Sequence, residues 1–541
     1  MRRTLSVVPL RYRHRHCLLP QQQSHALSQW RPTRILPLSS TITRQQQWPR
    51  ASQQLLHLRY LHSERLPVNK ALSTERVLPE TDIPQAHVLH KKVLGARMFI
   101  LNRSEKLNAL TLTMVRNMAP QLKAWDVSKL AKFILVKGVG HGRFCAGDDI
   151  LDILLRVRTK DPDSLHFFQE KFRLVQMIAT LQTPYITFLD GYALGGALGL
   201  FAHGPFRIAT ERTIFATPEA GIGFCPNSGA SFFLSKLDGE IGTYLALTGS
   251  RVEGVDTFYT GIATHYVPSV RLAALEDRLI DLETSDHEVI HRVIEEFVEP
   301  VSGDKIGMQQ SMRKTIDRCF RYDSIDEIMG ALDREKSTTW IRETRQKLLS
   351  SSPTALKVTL KALRKARTMT LCESLKMEFD LVQKFMVTQD FDQGIHAQFL
   401  NKPRQRPQWD PLHISDIEVD QLYFSRGSPN ELTFLSNLDM RHYPYARFAL
   451  PMEHDVRLAL MTTPEKEDQK FTTKQQVLDW FVKGSRGKQG VREKVQDILD
   501  RKTTVALPIV ESVAPSLTAE GKQEHTMTAT PTLIWKDHDD Y

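Results

Sequence analysis

Two short stretches of this sequence place small residues where a chain turns from strand to helix: Cys145-Ala146-Gly147-Asp148-Asp149 and, further along, Leu194-Gly195-Gly196-Ala197. Attack on an acyl carbonyl builds negative charge on its oxygen, and a pair of backbone N–H groups fixed at loop or helix starts stabilises that charge with little reorganisation. Such loops need glycine or other small residues, because the reacting group must come close to the main chain. Either stretch alone is ordinary turn chemistry. As a pair they form a candidate oxyanion site. Glu219, directly after Pro218, has by itself the pattern of a surface acid.

The elements that must carry these loops follow from hydrophobic periodicity. "RMFILN" reads as a strand, and Asn108 to Val127 carries Met114, Val115, Met118, Leu122 and Trp125 on a helical period. "KFILVKG" is a second strand, leading through a polar loop into "GRFCAGDDI", and a helix follows through Phe168 to Leu181. "TPYITFLDGYALGGALGL" runs from a strand through glycines into a helix, and "FRIAT" and "TIFATPE" are further strands. Strands alternating with helices predict an α/β layer architecture, with ligands held at the connections. Beyond about residue 270 the pattern is helical. Ser352 is the predicted N-cap and Pro353 the first residue of a long helical segment reaching Thr388. Regular structure pauses around "NKPRQRPQWDP". From about Ser425 a distinct C-terminal region begins, with amphipathic helices expected at Thr473 to Val482 and Val491 to Lys502; Thr473 and Gln476 have capping-box spacing.

The formal charge of +10 invites a nucleic-acid reading until its location is counted. Residues 1 to 63 hold ten Arg and no Lys, Asp or Glu, and the remainder balances 62 basic against 62 acidic residues. The global basicity therefore says nothing about partners. An acid-free segment rich in Arg, Ser and Gln has the composition of a mitochondrial targeting peptide, with a cleavage point expected near Leu61 or His62. Five cysteines without a CxxC pair argue against a disulfide scaffold and a zinc module. Gly191 to Ala202 is too short and too glycine-rich to cross a bilayer, so no membrane span is expected.

Read in order, "FCAGDDI", "DGYALGGALGL", "ATPEAGIGFCPNSGASFFLSKL" and "YLALTGSRVEGVDTFYTGIATHYV" resemble the crotonase superfamily, in particular its 3-hydroxyisobutyryl-CoA hydrolase branch. The resemblance extends from "FILNRSEKLNALTLTMV" to "QDFDQGIHAQFLNKPRQRPQWDP". It implies a crotonase fold, a spiral of ββα units with a C-terminal helical segment, here followed by a small, mostly helical extension. It implies an acyl-CoA thioester as substrate, with no cofactor and no metal, and the mitochondrial matrix as location. The oxyanion donors fall on the N–H groups of Asp148 and Gly196, with Gly195 beside the substrate, and the carboxylate facing the thioester falls on Glu219. That carboxylate is expected to attack the acyl carbon or to activate water against it.

The departures from that pattern are informative. Where the branch has Pro-Asp, this chain has Pro226-Asn227, and an amide does not shuttle a proton at neutral pH. A substrate-contacting glutamate of the branch is replaced by Lys171. The small residue at the first donor is Asp148, whose carboxylate would repel an oxyanion if it pointed inward, and a glycine of the second loop is Ala197. Altered catalysis is the expectation. Gly199 stands where hydratases of the superfamily carry a second glutamate, which argues against hydration of an enoyl-CoA. His203 is read as structural, and neither Cys145 nor Cys225 as a nucleophile.

The leading function is hydrolysis of 3-hydroxyisobutyryl-CoA in valine breakdown. The alternative, a non-catalytic structural subunit of the mitochondrial small ribosomal subunit, rests on the altered pocket and on the C-terminal region, which the hydrolase branch does not require. There "VKGSRGKQGVREK" interleaves Lys483, Arg486, Lys488, Arg492 and Lys494 with glycines, a pattern suited to rRNA phosphates as well as to a solvated face. The expected organisation is a transit peptide over 1–61, a linker over 62–89, the acyl-CoA domain over 90–425, the helical extension over 426–505 and a disordered tail over 506–541.

Overall fold

Alternate residues of "KFILVKG" leave the backbone on opposite sides, and both sides are apolar: Phe133 and Leu135 join one buried cluster, Ile134 and Val136 another. A strand with two apolar faces belongs in the middle of a covered sheet. That is its place in the computed structural model, which describes residues 86–300, 308, 310–410, 413–461, 471–506 and 532–536.

In chain order the strands are β1 (Val88–Val93), β2 (Ala96–Leu101), β3 (Phe133–Gly138), β4 (Tyr185–Leu189), β5 (Tyr192–Leu194), β6 (Phe206–Ala209), β7 (Ile214–Ala216), β8 (Val252–Glu253), β9 (His265–Tyr266), β10 (Thr503–Ala506) and β11 (Thr532–Trp535). The main sheet runs β1-β2-β3-β4-β6-β9. The β1–β2 pair is an antiparallel hairpin and every later pairing in this sheet is parallel. A smaller sheet, β5-β7-β8, stands apart from it. The helix Leu112–Asp126 buries Met114, Val115, Met118, Leu122 and Trp125, the residues its period predicts.

Four expectations need correction. The linker over 62–89 ends early, because Val88 and Leu89 already pair with Leu101 and Ile100 in the hairpin. The segment from Ser352 to Thr388 is two helices, Pro353–Ala366 and Leu371–Phe385. The second has its own start: Thr370 and Glu373 form a reciprocal capping box, which an unbroken apolar period conceals. The expected tail over 506–541 contains a strand, since Thr532–Trp535 pairs with Thr503–Ala506 and buries Leu533. Finally, no separation exists at residue 425. Residues 430–443 follow the acyl-CoA domain as irregular chain, with Leu371 donating to the Met440 carbonyl and Gln176 to the Leu438 carbonyl. The transit-peptide segment 1–61 and residues 507–531 lie outside the described residues.

The C-terminal helices Glu453–Met461, Lys474–Gly484 and Val491–Lys502 enclose a cluster of their own with Phe258 and Tyr259 of the acyl-CoA domain. The expected box at Thr473 and Gln476 is present. The extension is also tied down by buried charge: Lys494 Nζ reaches Asp238 at 2.5 Å, Lys502 reaches Asp317 at 2.7 Å and Lys488 reaches Glu295 at 2.8 Å. The expectation that 483–494 presents five cations to a phosphate backbone is therefore corrected. Lys488 and Lys494 are buried in these pairs, and only Lys483, Arg486 and Arg492 of the five are exposed. Among the described residues no helix is long and apolar enough to cross a membrane.

Candidate active site

The two glycine-bearing loops meet because one continues the sheet that the other leaves. Cys145 bridges Ala193 of β5, with Cys145 N–H donating to the Tyr192 carbonyl at 2.7 Å and Leu194 N–H to the Cys145 carbonyl at 3.1 Å. The next residues then lie beside Gly195 and Gly196. Around Asp148 the flanking groups are used: Leu110 N–H donates to the Gly147 carbonyl and Asp149 N–H to the Leu110 carbonyl. The N–H groups of Asp148 and Gly196 have no acceptor among the described residues. Two unengaged donors on converging loops are what an oxyanion requires.

Gly195 and Gly196 are glycines for reasons of space. A Cβ on Gly195 would stand 3.0 Å from Glu219 Oε1, and one on Gly196 would fall within the Asp148 carboxylate. Both acids thus face the second loop. The surface reading of Glu219 is corrected: it is only 5% exposed, and its Oε2 has no hydrogen-bond partner among the described residues. It lines a cavity of about 350 Å³ together with Gly147, Asp148, Gly195, Gly196 and Asn227, with Leu151 and Phe399 at its apolar rim. Burial, reinforced by the nearby Asp148 charge, pushes the Glu219 carboxyl up to about 8, against partial relief from Lys171.

The departures from the hydrolase pattern form one connected group. Lys171, on the helix Asp163–Ala179, donates from Nζ to Asp148 Oδ2 at 2.6 Å and to Asn227 Oδ1 at 2.8 Å, and Ser228 Oγ donates to the same Asn227 oxygen at 2.9 Å. Lys171 and Asp148 side chains are 2% and 6% exposed. Burial pulls the Lys171 ammonium below its ordinary range, and Asp148 is the first of the charges opposing that pull. The Asp148 carboxylate is therefore countered by Lys171, while its Oδ1 lacks a partner among the described residues. An acid gained at 148 and an acid lost at 171 compensate each other. Ala197 is fully buried within the second loop.

One member of the site has no counterpart among the residues that the sequence pattern singles out. Glu378, fully buried on the helix Leu371–Phe385, accepts from Gly229 N–H at 2.6 Å and Ser231 N–H at 2.7 Å, fixing the turn that carries Asn227 and Ser228. Burial raises it to about 7. Its signal is its place on the helix: Ser374, Leu375, Glu378, Leu381 and Val382 share one buried stripe. A glutamate on such a stripe must have buried partners. His203, by contrast, is structural as expected. It lies between Tyr443 Oη at 2.9 Å and the Ser228 carbonyl at 3.2 Å, and burial lowers it to about 4. Cys145 and Cys225 are buried, and burial pushes Cys145 up to about 12, the wrong direction for a nucleophile.

A model of the enoyl-CoA hydratase/isomerase family matches residues 96–423, well over half of the chain. The chain belongs to the enoyl-CoA hydratase/isomerase family. The crystal structure of a carnitinyl-CoA dehydratase from Mycobacterium thermoresistibile superposes with a TM-score of 0.59 and 29% identity, covering 65% of this chain and 99% of that one. The architecture is thus the crotonase fold, with an added helical C-terminal region. The mitochondrial 3-hydroxyisobutyryl-CoA hydrolase of Danio rerio is 37% identical over 345 residues, 63% of this chain and 90% of that protein. Small ribosomal subunit protein mS47 of Neurospora crassa is 39% identical over 465 residues, 81% of this chain and 90% of that protein. That share of the chain exceeds everything before residue 424, so the alignment must enter the C-terminal region.

The raised carboxyl of this family member gives a pH prediction. With Glu219 near 8, roughly a tenth is ionised at pH 7, and a carboxyl can attack or take a proton only in its ionised form. Turnover of an acyl-CoA thioester should rise from pH 7 to pH 9 and level off above it. A rate flat across that window would remove Glu219 ionisation as the controlling step.

Proposed function

We propose that this chain is a mitochondrial acyl-CoA thioester hydrolase whose substrate is 3-hydroxyisobutyryl-CoA, acting more slowly than its relatives. The observation that carries this reading is the buried Glu219 carboxyl, set in the cavity beside the unengaged N–H groups of Asp148 and Gly196. Where Glu219 takes the proton of a water, the water oxygen bonds the acyl carbon, the C–S bond breaks, and Glu219 returns the proton to the CoA thiolate as the free acid leaves. Where Glu219 itself attacks, the C–S bond breaks to leave an acyl-Glu219 anhydride, and a water then cleaves it, its protons passing to the CoA thiolate and the released acid. In both routes the two N–H groups hold the negative oxygen of the tetrahedral intermediate. The hydrolase relatives supply the substrate name. The slower rate follows from Asn227, which lends no proton, and from Lys171, which occupies Asn227 and Asp148. The acid-free segment 1–61 and the mitochondrial names of the relatives support the matrix as the location.

The test is CoA release by the purified chain from a panel of acyl-CoA esters. The expected outcome is preferential turnover of 3-hydroxyisobutyryl-CoA, below the ~10 s⁻¹ of an ordinary enzyme, together with a rise in melting temperature on binding. Neither release nor a thermal shift with any ester at millimolar concentration would overturn it.

A second reading has its own support. The alignment with the ribosomal relative enters the C-terminal region, and in this chain that region is packed onto the acyl-CoA domain. We infer that the chain also associates with the mitochondrial small ribosomal subunit, which co-sedimentation measures directly.

A further inference from the structure

With Lys488 and Lys494 withdrawn into the interior, the cations that remain outside converge somewhere else. Arg486, in the turn before the last helix, is 83% exposed at its side chain, and its Nη1 lies 3.8 Å from Glu288 Oε1. Arg447, 61% exposed and in the single 3-10 turn Ala446–Phe448 that precedes the extension helices, comes to the other oxygen of that carboxylate, also at 3.8 Å. Arg292, exposed one turn further along the helix His287–Phe297, donates to the Glu288 carbonyl at 3.4 Å. Two guanidinium groups thus flank the Glu288 carboxylate, and a third is held on the main-chain carbonyl of the same residue.

The neighbouring titratable groups leave the excess positive charge in place. Glu295 is committed to Lys488 at 2.8 Å and to Gln489 N–H at 3.1 Å. Glu296 faces Arg278 at 3.7 Å, and Asp286 caps the helix by accepting from Glu288 N–H. His287 and His291 are each lowered to about 4, first by burial and then by nearby cations, Arg447 for His287 and Lys488 ahead of Arg292 and Arg447 for His291, and are neutral. Half-buried Tyr445 stacks on His287 at 4.3 Å, and the Arg447 guanidinium lies 4.6 Å over the buried ring of Phe448. Beside Arg486, nothing lies within 4 Å of where a Gly487 side chain would be, so the backbone there is open to approach.

We propose that Arg292, Arg447 and Arg486 form a docking surface for the phosphodiester backbone of RNA. Ion pairs as long and as exposed as those to Glu288 hold the arginines only weakly, so a phosphate takes them over at little cost. A guanidinium offers a planar fork that matches phosphate oxygens. Because the three arginines come from the acyl-CoA domain, the connecting chain and the extension, the surface exists only when the extension is docked. The proposal rests on the ribosomal reading above and names the chemistry by which that association would be made.

The test uses the full chain and a fluorescein-labelled single-stranded RNA in anisotropy titrations across a salt series. The triple variant Arg292→Gln/Arg447→Gln/Arg486→Gln is expected to bind at least ~10-fold more weakly, with a salt slope shallower by about two, at roughly 0.7 for each phosphate that is no longer neutralised. A control that removes as much charge elsewhere, Lys129→Gln/Lys160→Gln/Lys336→Gln, is expected to bind as the parent does. An unchanged affinity in the first variant, an equal weakening in the control, or binding of a polyglutamate peptide as tight as RNA in the parent would each overturn the proposal. Melting temperature confirms that the variant is folded. Co-sedimentation separates the two ideas: a parent that sediments with the small subunit while the arginine variant keeps its RNA affinity refutes this surface alone. A parent that binds RNA through the arginines but does not sediment supports the surface and refutes the ribosomal reading.

Discussion

Glu219→Gln is expected to lower CoA release by ~10²–10⁴-fold and to leave ligand-induced thermal stabilisation in place. The amide has nearly the shape of the acid, and near neutral pH the buried carboxyl is already largely protonated, so the substitution removes little that the fold uses. What it removes is the ionised form. A carboxamide neither attacks a thioester carbon with comparable reactivity nor accepts a proton from water. The two backbone donors remain, because they belong to Asp148 and Gly196 and depend on the loop pairing at Cys145 and Ala193. Binding should therefore survive while turnover disappears, a separation that steady-state kinetics and melting curves in saturating thioester would both register. A variant within about three-fold of the parent rate would sink the assignment of Glu219 as the reacting group.

The contrast between Glu219 and Glu378 shows what was legible in the sequence. The strands were legible because their apolar runs have two-sided burial, as in Phe133 to Val136, and the donor loops were legible through their glycines. Glu219 is legible only through its neighbours in a family motif; the dipeptide Pro218-Glu219 looks like surface. Glu378 belongs to no such motif, and only its position on an apolar stripe marks it as buried. The departures at 148, 171 and 227 are each visible in the sequence and together point to altered catalysis, but not to a contact with one another. Their meaning lies in a distance across the fold, 2.6 Å from Lys171 to Asp148, which no local pattern contains. The same holds for the basic segment 483–494. Spacing shows cations and glycines, and only packing shows that Lys488 and Lys494 are spent on Glu295 and Asp238.

Lys171→Met is expected to destabilise the protein by ~3–5 kcal/mol, measured as a shift in the midpoint of denaturant unfolding. The substitution keeps most of the side-chain volume but leaves the Asp148 carboxylate buried without its cation, and its Oδ1 already lacks a partner among the described residues. Removing both charges together should cost far less, because neither then remains unpaired: Asp148→Ala/Lys171→Met is expected to recover most of the stability, giving a coupling energy well above 1 kcal/mol in the double-mutant cycle. This coupling also dictates how the hydrolase pattern must be restored. Lys171→Glu alone sets a second buried carboxylate against Asp148, and adding Asn227→Asp sets a third, so both variants should be less stable and no faster than the parent. Asn227→Asp with Lys171 retained is different, since Lys171 Nζ already donates to the side-chain oxygen at position 227. Its rate on 3-hydroxyisobutyryl-CoA should rise by about ten-fold, and adding Lys171→Glu should help only when Asp148→Gly accompanies it. If Lys171→Met stays within about 1 kcal/mol of the parent, or Lys171→Glu is tolerated with Asp148 in place, the ion pair is not what holds these two residues together.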